Sequence, residues 1–96
     1  MSMDIRALQY FLAVAREGNI TKAAETLHMT QPPLSRQMKE LESELGKQLL
    51  VRGSKRITLT EEGQLLQRRA EEMLELFEKT KAEINSCDAE IGGEIY

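Results

Sequence analysis

The sequence predicts a mainly α fold: three short helices, a two-stranded β-hairpin and a long fourth helix. Three observations carry that expectation. Apolar residues recur at spacings of three and four through the first half of the chain, the pattern of helices burying one face. One stretch, QLLVRGSKRITLT, breaks that pattern with strand-forming residues on both sides of Gly53-Ser54. From Gly63 onward the alternation of three and four then continues to Ile91, through Leu66, Ala70, Met73, Phe77, Thr80, Ile84 and Cys87.

Asp4 is the expected cap of a first helix reaching Glu17, with Ile5, Leu8, Leu12 and Ala15 as its stripe and Phe11 widening it. Gly18 ends that helix and Asn19 caps the next, in which Ala23, Ala24 and Leu27 face inward. Alanines at those positions let two helices approach closely. His28-Met29 is the turn. A generic helix-turn-helix often has Gly at the first turn position, so His28 predicts a somewhat different turn geometry.

Thr30 caps a third helix whose first turn holds Pro32 and Pro33, where a missing N–H costs nothing. Leu34, Met38, Leu41 and Leu45 form its buried stripe, and Gly46 stops it. At 100° per residue, Pro32, Ser35, Arg36, Lys39 and Ser43 fall on the opposite side. Two helices joined by a tight turn, the second carrying polar and basic residues outward, are laid out as a helix-turn-helix able to enter a DNA major groove.

Two hairpin registers compete. A Gly53-Ser54 loop pairs Leu50 with Ile57. A loop extended through Lys55 pairs Val51 with Ile57 and Leu49 with Leu59, and is favoured because both apolar pairs share a face. Arg52, Lys55 and Arg56 cluster at the tip in either case. Thr60 caps the last helix, with Glu61 and Glu62 favourable in its first turn. Its seam is too long for a domain of about 60 residues to bury, so it calls for a partner helix.

The net charge of −3 argues against nucleic acid until its distribution is considered. Residues 31–56 hold six basic side chains against three acidic ones, a local charge of +3. Residues 61–96 hold four against ten, a local charge of −6. A basic patch beside an acidic tail meets phosphate through its local sign. One cysteine forms no internal disulfide, no Cys/His cluster has metal-ligand spacing, and no cofactor is expected. Without a nucleophile-base constellation or a phosphate loop, the sequence offers no enzyme. No apolar run approaches the roughly 20 residues of a membrane span, and a cytoplasmic protein without membrane contact is expected.

Ala23-Ala24, Gln31-Pro32, Leu34-Ser35-Arg36, Leu41-Glu42, Leu45-Gly46, Leu49, Arg52, Leu59-Thr60 and Gly63, in this order, resemble the N-terminal region of LysR-type transcriptional regulators. The resemblance covers roughly residues 3–87 and implies a winged helix-turn-helix (three helices plus a hairpin wing) followed by a long dimerising helix. It implies double-stranded DNA as partner, with Gln31, Pro32, Ser35 and Arg36 approaching bases or phosphates, Thr21 touching phosphate, and Arg52 reaching backbone or minor groove. With Thr30, Lys39, Lys55 and Arg56 these are the candidate DNA-binding residues; Leu66, Ala70, Met73, Phe77, Thr80 and Ile84 are the candidate dimer contacts, and an antiparallel pairing is favoured. A homodimer implies an interrupted inverted repeat, and a longer parent would form a higher oligomer.

Two departures accompany the resemblance. Leu50 stands where the family often has Phe, which bears on wing packing. The large effector-binding domain of full-length members is missing, so any small-molecule effector belongs to that domain. The expected organisation is a winged domain over residues 1–59, a linker and dimerisation helix over 60–90, and a hinge with the start of the missing domain over 91–96. The competing expectation is a helical oligomerisation module that does not bind DNA, since a winged helix alone does not specify function.

Overall fold

The fold is seen in a computed structural model that describes residues 3–91. Its elements run α1 (Ile5–Glu17), α2 (Ile20–Thr26), α3 (Gln31–Leu45), β1 (Leu50–Arg52), β2 (Ile57–Leu59) and α4 (Glu61–Ile91). The hinge and start of a further domain expected over residues 91–96 lie outside the described residues, except Ile91, which is the last residue of α4. Helix ends follow the expected chemistry. Asp4 accepts the Ala7 N–H at 2.8 Å, Asn19 accepts that of Lys22 at 2.8 Å, and the Thr60 hydroxyl accepts that of Gly63 at 3.0 Å. Each bond satisfies one donor that the first turn of a helix leaves unpaired.

α1 is the centre of the molecule. Leu8, Phe11, Leu12 and Val14 are sealed by Ile20, Ala23 and Ala24 of α2, by Leu34, Met38 and Leu41 of α3, and by Leu49, Leu50 and Ala70. Because α2, α3, β2 and α4 all pack on α1, its buried surface is broader than a single stripe and rotated from the expected one. Ala7, Ala13 and Val14 are buried, while Ile5 and Ala15 are only half-buried.

The turn after α2 corrects the expectation for His28. Its N–H donates to Glu25 O at 3.1 Å, the Met29 N–H donates to Ala24 O at 2.9 Å, and His28 itself has φ 60°. Gly46 ends α3 in the same way at φ 67°, with bonds from Gly46 to Ser43 and from Lys47 to Glu42. His28 therefore adopts the left-handed geometry a glycine would supply, at a cost of about 1 kcal/mol. The turn is preserved, and only its residue type is unusual. Leu45 also departs from expectation: at 38% exposure it is not part of the α3 stripe, because the last turn of α3 projects past the core.

Neither expected hairpin register occurs. Leu50 faces Leu59, Val51 faces Thr58 and Arg52 faces Ile57, leaving residues 53–56 as the connection, closed by Gly53 N–H donating to Arg56 O at 3.1 Å. Burial decides this. Leu49 and Leu50 are both inside the core, whereas adjacent residues of one strand point to opposite faces. Leu49 therefore stays ahead of β1, and Leu50 takes the inward position against Leu59. Val51 turns outward with Thr58.

α4 removes one of the expected dimer contacts, Ala70, and half covers another, Leu66. Ala70 is 0% exposed in the single chain, and Leu66 packs half-buried against the same core, as does Leu74. The seam face of these first turns is largely spent on the core, although Leu65 beside it stays 48% exposed. The seam is open only from Met73 outward, where Leu76, Phe77, Thr80 and Ile84 are exposed. The core of the winged domain consequently extends to Ala70 and Leu74, past the expected boundary at residue 59. The distal part of α4 gives the molecule its 57 Å length against a 26 × 21 Å cross-section.

Candidate nucleic-acid interface

α3 places its polar residues by periodicity alone. With Leu34, Met38 and Leu41 buried, Gln31, Pro32, Arg36 and Lys39 are exposed and Ser35 is half-buried at the edge of the same face. Thr30 caps by position only: its side chain makes no bond to the helix, which leaves the hydroxyl uncommitted. Pro32 and Pro33 remove two N–H groups, so the start of α3 offers side chains more than backbone donors. Thr21 is exposed in the first turn of α2.

On the hairpin, Arg52 ends β1 and Lys55 sits in the connection, both exposed. Arg56 is not held at the tip as expected. Its guanidinium lies over Gly18, so close that a Cβ there would come within 2.9 Å of one guanidinium nitrogen. The neighbouring Ile57 N–H donates to Gly18 O at 2.8 Å. The base of the hairpin is thus seated on the α1–α2 turn, with Arg56 against Gly18.

The electrostatics separate the two halves of the chain. Among the described residues the two ion pairs are Arg69–Glu72 at 2.8 Å and Lys81–Glu78 at 3.5 Å, both on α4. Arg36, Lys39, Lys47, Arg52, Lys55 and Arg56 take part in neither. The cations of α3 and the hairpin are exposed without a carboxylate partner among the described residues, whereas Arg69 and Lys81 of α4 are each paired within their helix.

Two residues that join these pieces were not evident from sequence. Glu42 accepts hydrogen bonds from the N–H groups of Leu49 and Leu50 at 2.8 and 3.0 Å, tying α3 to the hairpin. In the sequence it is an acidic residue of the basic segment and half of the Leu41-Glu42 family motif, with no contact assigned to it. Gly63 lies so near the Leu49 carbonyl and Leu59 that no side chain fits. In the sequence it is one small residue of a heptad seam and the last of the family motifs, with no neighbour assigned to it. No spacing rule identifies either, because each meets its neighbour only after folding.

Two helices joined across residues 27–30, a third helix beneath them and a hairpin braced beside them define a winged helix-turn-helix. The chain belongs to the LysR family: residues 5–64 match the model of "Bacterial regulatory helix-turn-helix protein, lysR family". It is similar to the HTH-type transcriptional regulator BsdA of Bacillus subtilis (strain 168), with 49% identity over 97% of this chain and 32% of that protein. Among solved structures it is similar to the CbnR DNA-binding domain in complex with DNA (TM-score 0.84, 41% identity, 88% of this chain and 98% of that one). The BenM DNA-binding domain with catB site 1 DNA is also similar (TM-score 0.86, 42% identity, 88% and 94%). The chain spans about a third of the length of BsdA. No helix among the described residues is long and apolar enough to cross a membrane.

Proposed function

We propose that this chain is the sequence-specific, duplex-DNA-binding part of a transcriptional regulator. It acts as a homodimer on an interrupted inverted repeat and works by binding rather than catalysis, in the cytoplasm. The observation that carries this reading is the set of exposed, unpaired cations on α3 and the hairpin of a chain whose net charge is −3. The solved relatives held on DNA support it.

In this reading Gln31, Pro32, Ser35 and Arg36 enter the major groove, with Arg36 as a two-pronged donor to guanine and Lys39 farther along. Thr21, Thr30, Arg52, Lys55 and Arg56 hold phosphate or the minor-groove edge and set register. The dimer uses the distal seam of α4 (Met73, Phe77, Thr80 and Ile84). Effector sensing and higher assembly belong to a further domain of a longer parent.

Binding exchanges condensed counterions for Lys and Arg. With about 4–6 phosphate contacts per dimer, log K against log salt is expected to slope at about −4 to −5. Fluorescence anisotropy on a duplex selected from a random pool measures it. A slope near zero, or no duplex recovered at low salt, would favour the oligomerisation module instead.

Arg36→Ala is expected to relax base preference at one position of each half-site, by about 1–3 kcal/mol. Arg52→Ala is expected to weaken specific and random duplexes by similar factors, because a backbone contact carries no sequence information. Equal losses on both duplexes for both variants would remove Arg36 from base reading.

A further inference from the structure

Glu42 stands near the end of α3, and its carboxylate leaves that helix to hold the hairpin. One oxygen, Oε2, accepts the Leu49 N–H at 2.8 Å and the Leu50 N–H at 3.0 Å. In an antiparallel pair, successive residues alternate between bonding toward the partner strand and pointing away from it. Gly53 N–H bonds to Arg56 O and Thr60 N–H bonds to Leu49 O, so positions 51 and 53 and the carbonyl of Leu49 are turned toward β2, while the N–H of Leu49, ahead of the strand, turns to Glu42. The Leu50 N–H therefore faces the open edge of β1, where the two-stranded sheet offers no further strand. A neutral acceptor would make weaker bonds there; a carboxylate makes two charge-assisted ones from one atom.

The other ties on the hairpin come from different helices. Ile57 N–H bonds to Gly18 O at the end of α1, and the Thr60 hydroxyl donates to Gln48 O at 2.7 Å just before α4. Among the described residues Glu42 supplies the side-chain hydrogen bonds that run from α3 to the hairpin. From Arg36 to Glu42 the helix advances about 9 Å, and from Leu50 to Arg52 the strand advances about 7 Å. A short path of helix, carboxylate and strand thus connects one arginine to the other.

We propose that Glu42 is a positioning residue: it sets where Arg52 stands relative to the face of α3 that carries Arg36. This rests on the DNA-binding reading above, in which the hairpin arginine grips the backbone while α3 reads bases. Glu42 touches no DNA in this role and acts through the hairpin.

The sign of its effect separates positioning from charge. Removing a negative group from a DNA-binding surface would by electrostatics alone tighten binding, whereas loss of the tie weakens it. The test is a double-mutant cycle with Glu42→Ala, Arg52→Ala and both together, on a duplex selected by the wild-type chain and on a random duplex of equal length, across salt. Each single variant is expected to bind the selected duplex about tenfold more weakly, with the salt slope flattened by about 1 per wing. The double variant is expected to be no weaker than either single, and base preference at the positions read by α3 is unchanged. Glu42→Gln, whose amide oxygen still accepts, is expected to recover most of the loss.

Tighter or unchanged binding by Glu42→Ala, or losses that multiply in the double variant, would overturn the proposal. If Glu42→Ala does not fold at the assay temperature, Glu42→Asp, which keeps the charge and shortens the reach, must show the same non-additive loss. Unfolding of both would equally overturn it, because Glu42 would then hold the domain together rather than aim the wing. A wild-type chain that selects no duplex would instead remove the DNA-binding reading itself.

Discussion

Phe77→Glu is expected to sediment as a monomer and to lose most of its grip on a full inverted repeat, while its winged domain melts as before. Phe77 is 41% exposed, beyond the turns of α4 that pack on α1, and Leu76 and Ile84 beside it are each 63% exposed. Its ring carries Lys81, with the ammonium 5.3 Å from the ring centre. None of these side chains belongs to the core, so the stability of one chain should change by no more than about 0.5 kcal/mol. Glutamate four residues before Lys81 even favours the helix.

In a two-fold dimer the substitution buries two carboxylates at once, and the exposed Lys81 beside each offsets only part of a cost of several kcal/mol of association. Two linked reading helices make the second half-site contact intramolecular, an advantage of about 10²–10⁴. Monomerisation should forfeit that factor on the full site and leave half-site affinity unaltered. Analytical ultracentrifugation and titration of full and half sites measure both. A variant that stays dimeric and tight would place the dimer contact elsewhere than on α4.

The second large effect concerns stability. Gly63→Ala is expected to destabilise the domain by about 2–3 kcal/mol, although alanine in a helix ordinarily gains about 1 kcal/mol over glycine. A Cβ at Gly63 would press on the Leu49 carbonyl and come within 3.2 Å of Leu59 Cβ. The main obstacle is backbone, pinned by Thr60 N–H donating to Leu49 O at 3.0 Å, so it cannot swing aside as a side-chain end would. Gly46→Ala is the contrast. Its Cβ would meet open space and its φ of 67° is the only penalty, so about 1 kcal/mol is expected. Urea unfolding of the two variants measures the difference. An unchanged or raised midpoint for Gly63→Ala would mean that α4 does not approach the hairpin this closely.

Helix boundaries and the polar face of α3 were legible in the chain because both are local. Asp4, Asn19, Thr60, Gly18 and Gly46 act on backbone within a turn of themselves, and a period of 3.6 residues assigns Arg36 and Leu34 to opposite sides without knowledge of the rest. The family motifs were legible for the same reason, being strings of such local choices. The role of Arg56 was not, since its guanidinium rests on Gly18, thirty-eight residues earlier in the chain.

Sequence by itself determined which segments are helix, where they start and stop, and which basic residues face outward. Tertiary structure decided the hairpin register, the division of α4 between own core and open seam, and the work of Glu42 and Gly63. Each of these is a competition between distant partners. Leu49 and Leu50 could both be buried only if the strand began one residue later, and Ala70 could serve the seam only if α1 had not already covered it. Periodicity reports that a face is apolar; contact alone decides what covers it.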